Sequence, residues 1–147
     1  MWHLKLAFTE PFPYICNIME RSFFLILAVS LLSSLTALGG DHSAKHVNAE
    51  AASKLVADGK VTIIDVRTAD EFKAGHIEGA QNIDIYEDGF AAKAAELDKS
   101  KPILIHCQGG GRSRLALSTF KKLNFSEIYH MDGGMKGWKA AGKPVVR

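Results

Sequence analysis

Cysteine is scarce in this chain, with two residues in 147, Cys16 and Cys107. Cys16 precedes a long apolar run, so beyond that run Cys107 stands alone. One cysteine cannot close an internal disulfide, which excludes a disulfide-stapled scaffold and leaves intermolecular pairing or a free thiol. In an oxidising compartment a free thiol is a liability, so its retention argues for a use. Charge of a single sign is missing too. Beyond residue 39 there are 16 Lys+Arg against 14 Asp+Glu, interspersed, and no basic run that would mark a nucleic-acid or membrane-surface partner. The six histidines show no metal-ligand spacing. There is no internal repeat and no low-complexity segment.

Only one long hydrophobic run is present. Residues 23–38 (FFLILAVSLLSSLTAL) are uncharged but include three serines and a threonine. Spanning a bilayer takes about 20 apolar residues, so 16 is short for an anchor. Small residues follow at Ala37 and Gly39, then polar Asp41-His42-Ser43, which is the layout of a secretory signal peptide. Residues 1–39 are therefore expected to be a leader. Met19-Glu20-Arg21-Ser22 would begin a more compact one, and translation from Met19 is an alternative start. A retained anchor is the competing reading. Residues 40–46 read as a linker and residues 47–147 as the folded domain, exported to the periplasm or beyond and without stable membrane association after cleavage.

Short apolar segments alternate with helical ones through that domain. Asn48 caps a helix over 49–58, and 61–64 is a buried strand ending at Asp65-Val66-Arg67. Thr68-Ala69-Asp70-Glu71 is a capping box that opens a short helix closed by Gly75. A second strand lies at 79–83, a helix at about 90–97, a strand at 103–107 and a helix at 112–123. Asn124 ends that helix, 127–131 is the next strand, and 135–141 the last helix, with Trp138 in the core. The alternation implies βαβ units and a mostly parallel sheet with helices on both faces. Ligands of such sheets bind beyond the carboxyl ends of the strands, where Asp65–Arg67, Cys107 and Asp132–Gly134 all fall.

The chemistry concentrates in His106-Cys107-Gln108-Gly109-Gly110-Gly111-Arg112-Ser113, at a strand end and a helix start. Glycines let successive N–H groups turn toward one point, and the helix N-terminus adds positive potential there. A thiolate is favoured beside such a cradle, and the thiolate is the nucleophile. The substrate should carry, or pass through, a small anionic group. His106 points away from Cys107 along the strand, which argues against an ion pair between them. Arg67 either reaches the pocket or pairs with Asp65 or Glu71. Asp65 and His76 read as structural supports of the loop, and Arg114 as a guide for anions or a solvated surface charge.

These segments resemble the single-domain rhodanese family of thiosulfate sulfurtransferases. Asp65-Val66-Arg67 with Glu71-Phe72, Gly75-His76-Ile77, Gly79-Ala80 and Asn82-Ile83 is similar to one family signature. Cys107-x-x-Gly110-x-Arg112-Ser113 is similar to its active-site loop, and Asp132-Gly133-Gly134 through Trp138 and Gly142-Lys143-Pro144-Val145 to its C-terminal signature. With a leader, the whole is similar to small periplasmic rhodaneses. The resemblance implies a rhodanese-like α/β fold with a five-stranded sheet. It implies that Cys107 takes a sulfane sulfur from a small anionic donor such as thiosulfate, holds it as a persulfide, and passes it to cyanide or a thiol. Arg112, Gln108, Gly109, Gly110, Gly111, Ser113 and Arg67 would then bind substrate, Arg112 also stabilising the thiolate, and no metal or organic cofactor would be required. Two rivals remain: a sulfur carrier or binding module without turnover, and a cysteine phosphatase or arsenate reductase. The latter place five residues between Cys and Arg, whereas this chain has four, Gln108 to Gly111.

The leader reading makes a direct prediction. Cell fractionation and intact mass should find a soluble exported product beginning near Gly40; a membrane-bound product retaining the apolar run would replace the leader with an anchor.

Overall fold

The computed structural model describes residues 43–147. The leader over 1–39, the alternative start at Met19 and the beginning of the linker lie outside the described residues. Among the described residues, five strands form one sheet: β1 (Lys45–Val47), β2 (Thr62–Asp65), β3 (Gln81–Asn82), β4 (Ile103–His106) and β5 (Ile128–Met131). Their spatial order is β1-β5-β4-β2-β3, and every neighbouring pair is parallel. The helices between them are α1 (Ala49–Ala57), α2 (Ala69–Lys73), α3 (Phe90–Ala95), α4 (Gly111–Lys122) and α5 (Gly134–Ala140). No helix of the described residues is long and apolar enough to cross a membrane.

Strand alternation sends two apolar sets to opposite faces. Ile64, Ile103, Ile105 and Cys107 pack with Ala94 of α3 and with Ala116, Leu117 and Phe120 of α4. Ile63, Leu104 and Met131 pack with Ala52 of α1 and with Met135 and Trp138 of α5. Trp138 is a core residue as expected, and its indole N–H donates to the Pro144 carbonyl at 2.8 Å. Local start signals act as read. Asn48 accepts from the Ala51 amide, and the Thr68–Glu71 capping box is complete.

Most element ends move by a residue or two from the sequence reading, and three differences bear on the sheet and the cysteine loop. The linker is shorter than 40–46, because Lys45-His46-Val47 pairs with Tyr129-His130-Met131 and makes β1, an edge strand. Only Val47 of the three is apolar, so the segment carries no strand-like alternation; its pairing partner lies far along the chain. The strand expected at 79–83 contracts to Gln81–Asn82, set by pairing with Ile64 and Asp65. α4 starts one residue earlier, at Gly111.

A buried ion pair fixes the end of β2. The Arg67 guanidinium donates through Nε to both oxygens of Asp65 (2.9 Å each) and through Nη2 to Oδ2 (2.6 Å) and to the Gly75 carbonyl (2.8 Å). Arg67 is 2% exposed and Asp65 0%. The Asn82 side-chain amide donates to both carbonyls flanking this turn, those of Asp65 and Arg67. Removing one partner of a buried pair leaves an uncompensated charge and costs about 3–5 kcal/mol. Denaturant unfolding of Arg67→Ala should show a loss of that size, far above a surface arginine's; a loss within about 0.5 kcal/mol would remove the pair from the support of the fold.

Candidate active site

Cys107 follows β4 and begins a loop whose backbone is held from behind. Its carbonyl accepts from the Met135 amide at 2.8 Å, and the Gln108 carbonyl from the Lys136 amide at 3.0 Å. Both donors are free amides of α5's first turn, so the helix end is satisfied by the loop and the loop by the helix. The contact is close: a Cβ on Gly134 would stand 2.2 Å from the Cys107 carbonyl oxygen. With those carbonyls turned toward α5, amides face the sulfur. The Gly110 N–H donates to Cys107 Sγ at 3.1 Å, and the Ser113 hydroxyl lies 3.5 Å from it. α4 has no side-chain cap at its N-terminus. Burial pushes the Cys107 thiol up, but the Ser113 hydroxyl and the amides of Ser113, Gly109 and Gly110 outweigh it, so the thiol sits below its ordinary value. Cys107 is itself 1% exposed.

The three glycines do different things. Only Gly110 takes a left-handed conformation, φ 95°. Gly109 and Gly111 have open space where a Cβ would go. The sequence reading asked the whole triplet for unusual backbone; one residue supplies it, and the other two border open space.

The charged residues expected at the pocket are already paired. Arg112 donates from Nη1 and Nη2 to the two carboxylate oxygens of Glu71 at 2.6 and 2.8 Å. Those bonds hold the Glu71 carboxyl at about 2 and push the Arg112 guanidinium up. Arg112 is thus a clamp between α4 and α2 that still lies within electrostatic reach of Cys107, while the leading pull on the thiol comes from Ser113 and the amides. Arg67, expected to bind substrate, is buried against Asp65 and turns one N–H to the Gln108 side-chain oxygen at 3.4 Å. It supports the loop from below, and Gln108 is tied to that support. Asp65 is the buried acceptor that the sequence suggested. His76 stacks on Phe72, with ring centroids 3.8 Å apart, and its Nδ1 lies 3.0 Å from the Phe72 carbonyl. Its backbone pairs with Val146, so it anchors the C-terminal segment to α2 rather than the cysteine loop. His106 is fully buried beside Asp65, away from the sulfur, and burial lowers its pKa.

The sequence reading missed the group behind Ser113. His130 is fully buried, with Nε2 2.9 Å from Ser113 Oγ and 3.2 Å from the Gly110 carbonyl. Its Nδ1 faces Asp132 and His46, each about one hydrogen-bond length away. His130 is on β5 and Asp132 directly follows its end, two positions on, where the two side chains meet; that spacing was a usable signal. His46 joins them through the register of β1 on β5, which no local pattern shows.

Comparison with known proteins gives a consistent result. The Rhodanese-like domain family matches residues 48–141. The chain is 34% identical over 95 residues to the thiosulfate sulfurtransferase GlpE of Pseudomonas fluorescens, covering 65% of this chain and 84% of that one. It is 39% identical over 79 residues to the Bacillus subtilis protein YqhL, covering 54% of this chain and 61% of that one. To the Bacillus subtilis protein YrkF, named as a sulfur carrier, it is 33% identical over 107 residues, spanning 57% of that protein. The match thus covers less than two thirds of YqhL and of YrkF. The solution structure of the rhodanese-like domain of the Anabaena protein Alr3790 superposes with a TM-score of 0.63 at 26% identity, covering 71% of this chain and 80% of that one.

The geometry ranks two substitutions. A neutral hydrogen bond contributes roughly 0.5–1.5 kcal/mol, so Ser113→Ala should raise the pH of half-maximal Cys107 alkylation by about half to one unit. Arg112→Ala, whose charge is committed to Glu71, should raise it by less. The reverse order would restore Arg112 as the group that stabilises the thiolate.

Proposed function

The chain belongs to the rhodanese-like domain family, and from that premise we propose that it is a sulfurtransferase working through a persulfide on Cys107, with thiosulfate or a similar small anion as donor. The observation that carries the proposal is the Cys107 sulfur facing the Gly110 amide and the Ser113 hydroxyl, with a thiol pKa below the ordinary value.

In the first half-reaction the Cys107 thiolate attacks the outer, sulfane sulfur of thiosulfate. The new S–S bond forms as the sulfur–sulfur bond within thiosulfate breaks, and sulfite leaves with that bond's electron pair. The enzyme is left as Cys107–S–S⁻. In the second, cyanide or an acceptor thiolate attacks the terminal sulfur, and the Cys107 thiolate departs, restoring the starting state. The terminal sulfur lies roughly 2 Å beyond Sγ, and a negative charge there is suited to backbone N–H groups at the start of α4. The side-chain-free positions 109 and 111 leave the approach open, which suits an acceptor met at bare backbone. Residues 1–39 support export as part of the same proposal.

A carrier reading, in which the domain takes up sulfur but hands it on only to a protein, is favoured by the likeness to YrkF. Intact mass spectrometry separates the two. Thiosulfate should add the mass of one sulfur atom to the wild type and none to Cys107→Ser, and cyanide should remove it with release of thiocyanate. Sulfur that loads but resists cyanide would make the protein a carrier. Absence of loading on the wild type would overturn the persulfide.

A further inference from the structure

Behind the cysteine loop, at the carboxyl end of β5, three side chains, one on β1, one on β5 and one just past β5, aim their ligand atoms at one another. His46 on β1 is in register with His130 on β5, and parallel partners project side by side. Asp132 stands two residues after His130, just past the end of β5. His46 Nδ1 lies 3.0 Å from Asp132 Oδ1, His130 Nδ1 lies 3.0 Å from the same oxygen, and the two Nδ1 atoms are 3.2 Å apart. We propose that His46, His130 and Asp132 are a binding site for one divalent first-row transition-metal ion of zinc's class.

Hydrogen bonding alone serves this triangle poorly. If both Nδ1 atoms carry protons, two N–H groups crowd one oxygen with their dipoles opposed. If only one does, the other nitrogen turns a lone pair toward the carboxylate. A single cation accepts all three lone pairs at once. The spacing also fits: tetrahedral zinc at 2.0–2.1 Å from its ligands sets donors about 3.3 Å apart. Two imidazoles and a carboxylate suit zinc, copper or nickel, whereas magnesium and calcium take oxygen sets. The side chains of His46 and Asp132 are 49% and 48% exposed, so an ion reaches them from solvent and can keep water in its remaining positions.

The far side of His130 supplies what a metal-bound histidine needs, an outer partner that fixes its ring. With Nδ1 on the metal, the proton must sit on Nε2, which then donates to Ser113 Oγ or to the Gly110 carbonyl. Ser113 cannot then give its own proton to His130, and its hydroxyl turns to Gly110 or to the Cys107 sulfur. The ion would thus lie one residue removed from the nucleophile's hydrogen-bond shell without touching the sulfur.

The test uses the untagged full chain, freed of metal by chelation and titrated with zinc alone, with native mass spectrometry for stoichiometry. One zinc per chain is expected, with magnesium unable to displace it. His46→Ala, an exposed edge-strand change, should weaken binding at least about 100-fold, beyond the 10–100-fold that an outer-shell partner is worth. Cys107→Ser should bind zinc as the wild type does, and cobalt in the wild type should give d–d absorption without a thiolate charge-transfer band. No zinc at micromolar protein, a loss below about tenfold in His46→Ala, or binding abolished by Cys107→Ser would each overturn the site.

Discussion

The cysteine loop depends on two hydrogen bonds that run backward from it, from the Met135 and Lys136 amides to the carbonyls of Cys107 and Gln108. A peptide unit is planar, so turning a carbonyl one way turns the following amide the other. Anchoring the Cys107 and Gln108 carbonyls on α5 turns the Gln108 and Gly109 amides away from that helix, and the next amide, that of Gly110, donates to the sulfur. The anchor needs α5 almost in contact with the loop, and only a residue without Cβ at position 134 permits that approach. The same interaction satisfies the helix N-terminus, which is otherwise left with unpaired donors. One contact therefore meets the needs of a helix end, places a turn and aims the cradle.

Two charge pairs frame that arrangement and do different work. Asp65–Arg67 is buried under the loop, ties β2 to the Gly75 turn, and touches the loop only through Gln108. Glu71–Arg112 lies nearer solvent and clamps the first turn of α4 to α2, with Glu71 also closing the capping box of its own helix. Neither guanidinium is idle charge waiting for an anion. For the proposed anionic donor, backbone amides and a helix end would supply potential whose direction is fixed by the fold and which needs no side-chain reorganisation when charge appears.

How much of this could be read from the residues follows from how local each interaction is. The capping box at Thr68–Glu71, the cap at Asn48, the strand-end position of Cys107 and the core place of Trp138 rest on neighbours within a few residues, and all were legible. The parallel sheet followed from the alternation of strand and helix, and the resemblance supplied its five strands. The edge strand at 45–47 was not legible, since its partner lies 84 residues on and two of its three side chains are polar and exposed. Arg67 and Arg112 were recognised as cations near a strand end and a helix start, but their commitments depend on burial and on a partner 41 residues away for Arg112. The His46–His130–Asp132 cluster needed the register of β1 on β5, which no spacing along one segment encodes.

Activation of Cys107 rests on the amide cradle and Ser113 lowering the pKa of its thiol. The measurement that reaches it most directly is the pH dependence of thiolate absorbance, taken as the difference between the full chain and its Cys107→Ser variant so that Cys16 cancels. A free cysteine titrates near 8.5, roughly, in model peptides. The midpoint of the difference curve should lie clearly below that value. A midpoint at or above it would mean that burial outweighs the amides and Ser113, and the loop would then be a packed turn rather than an activated nucleophile.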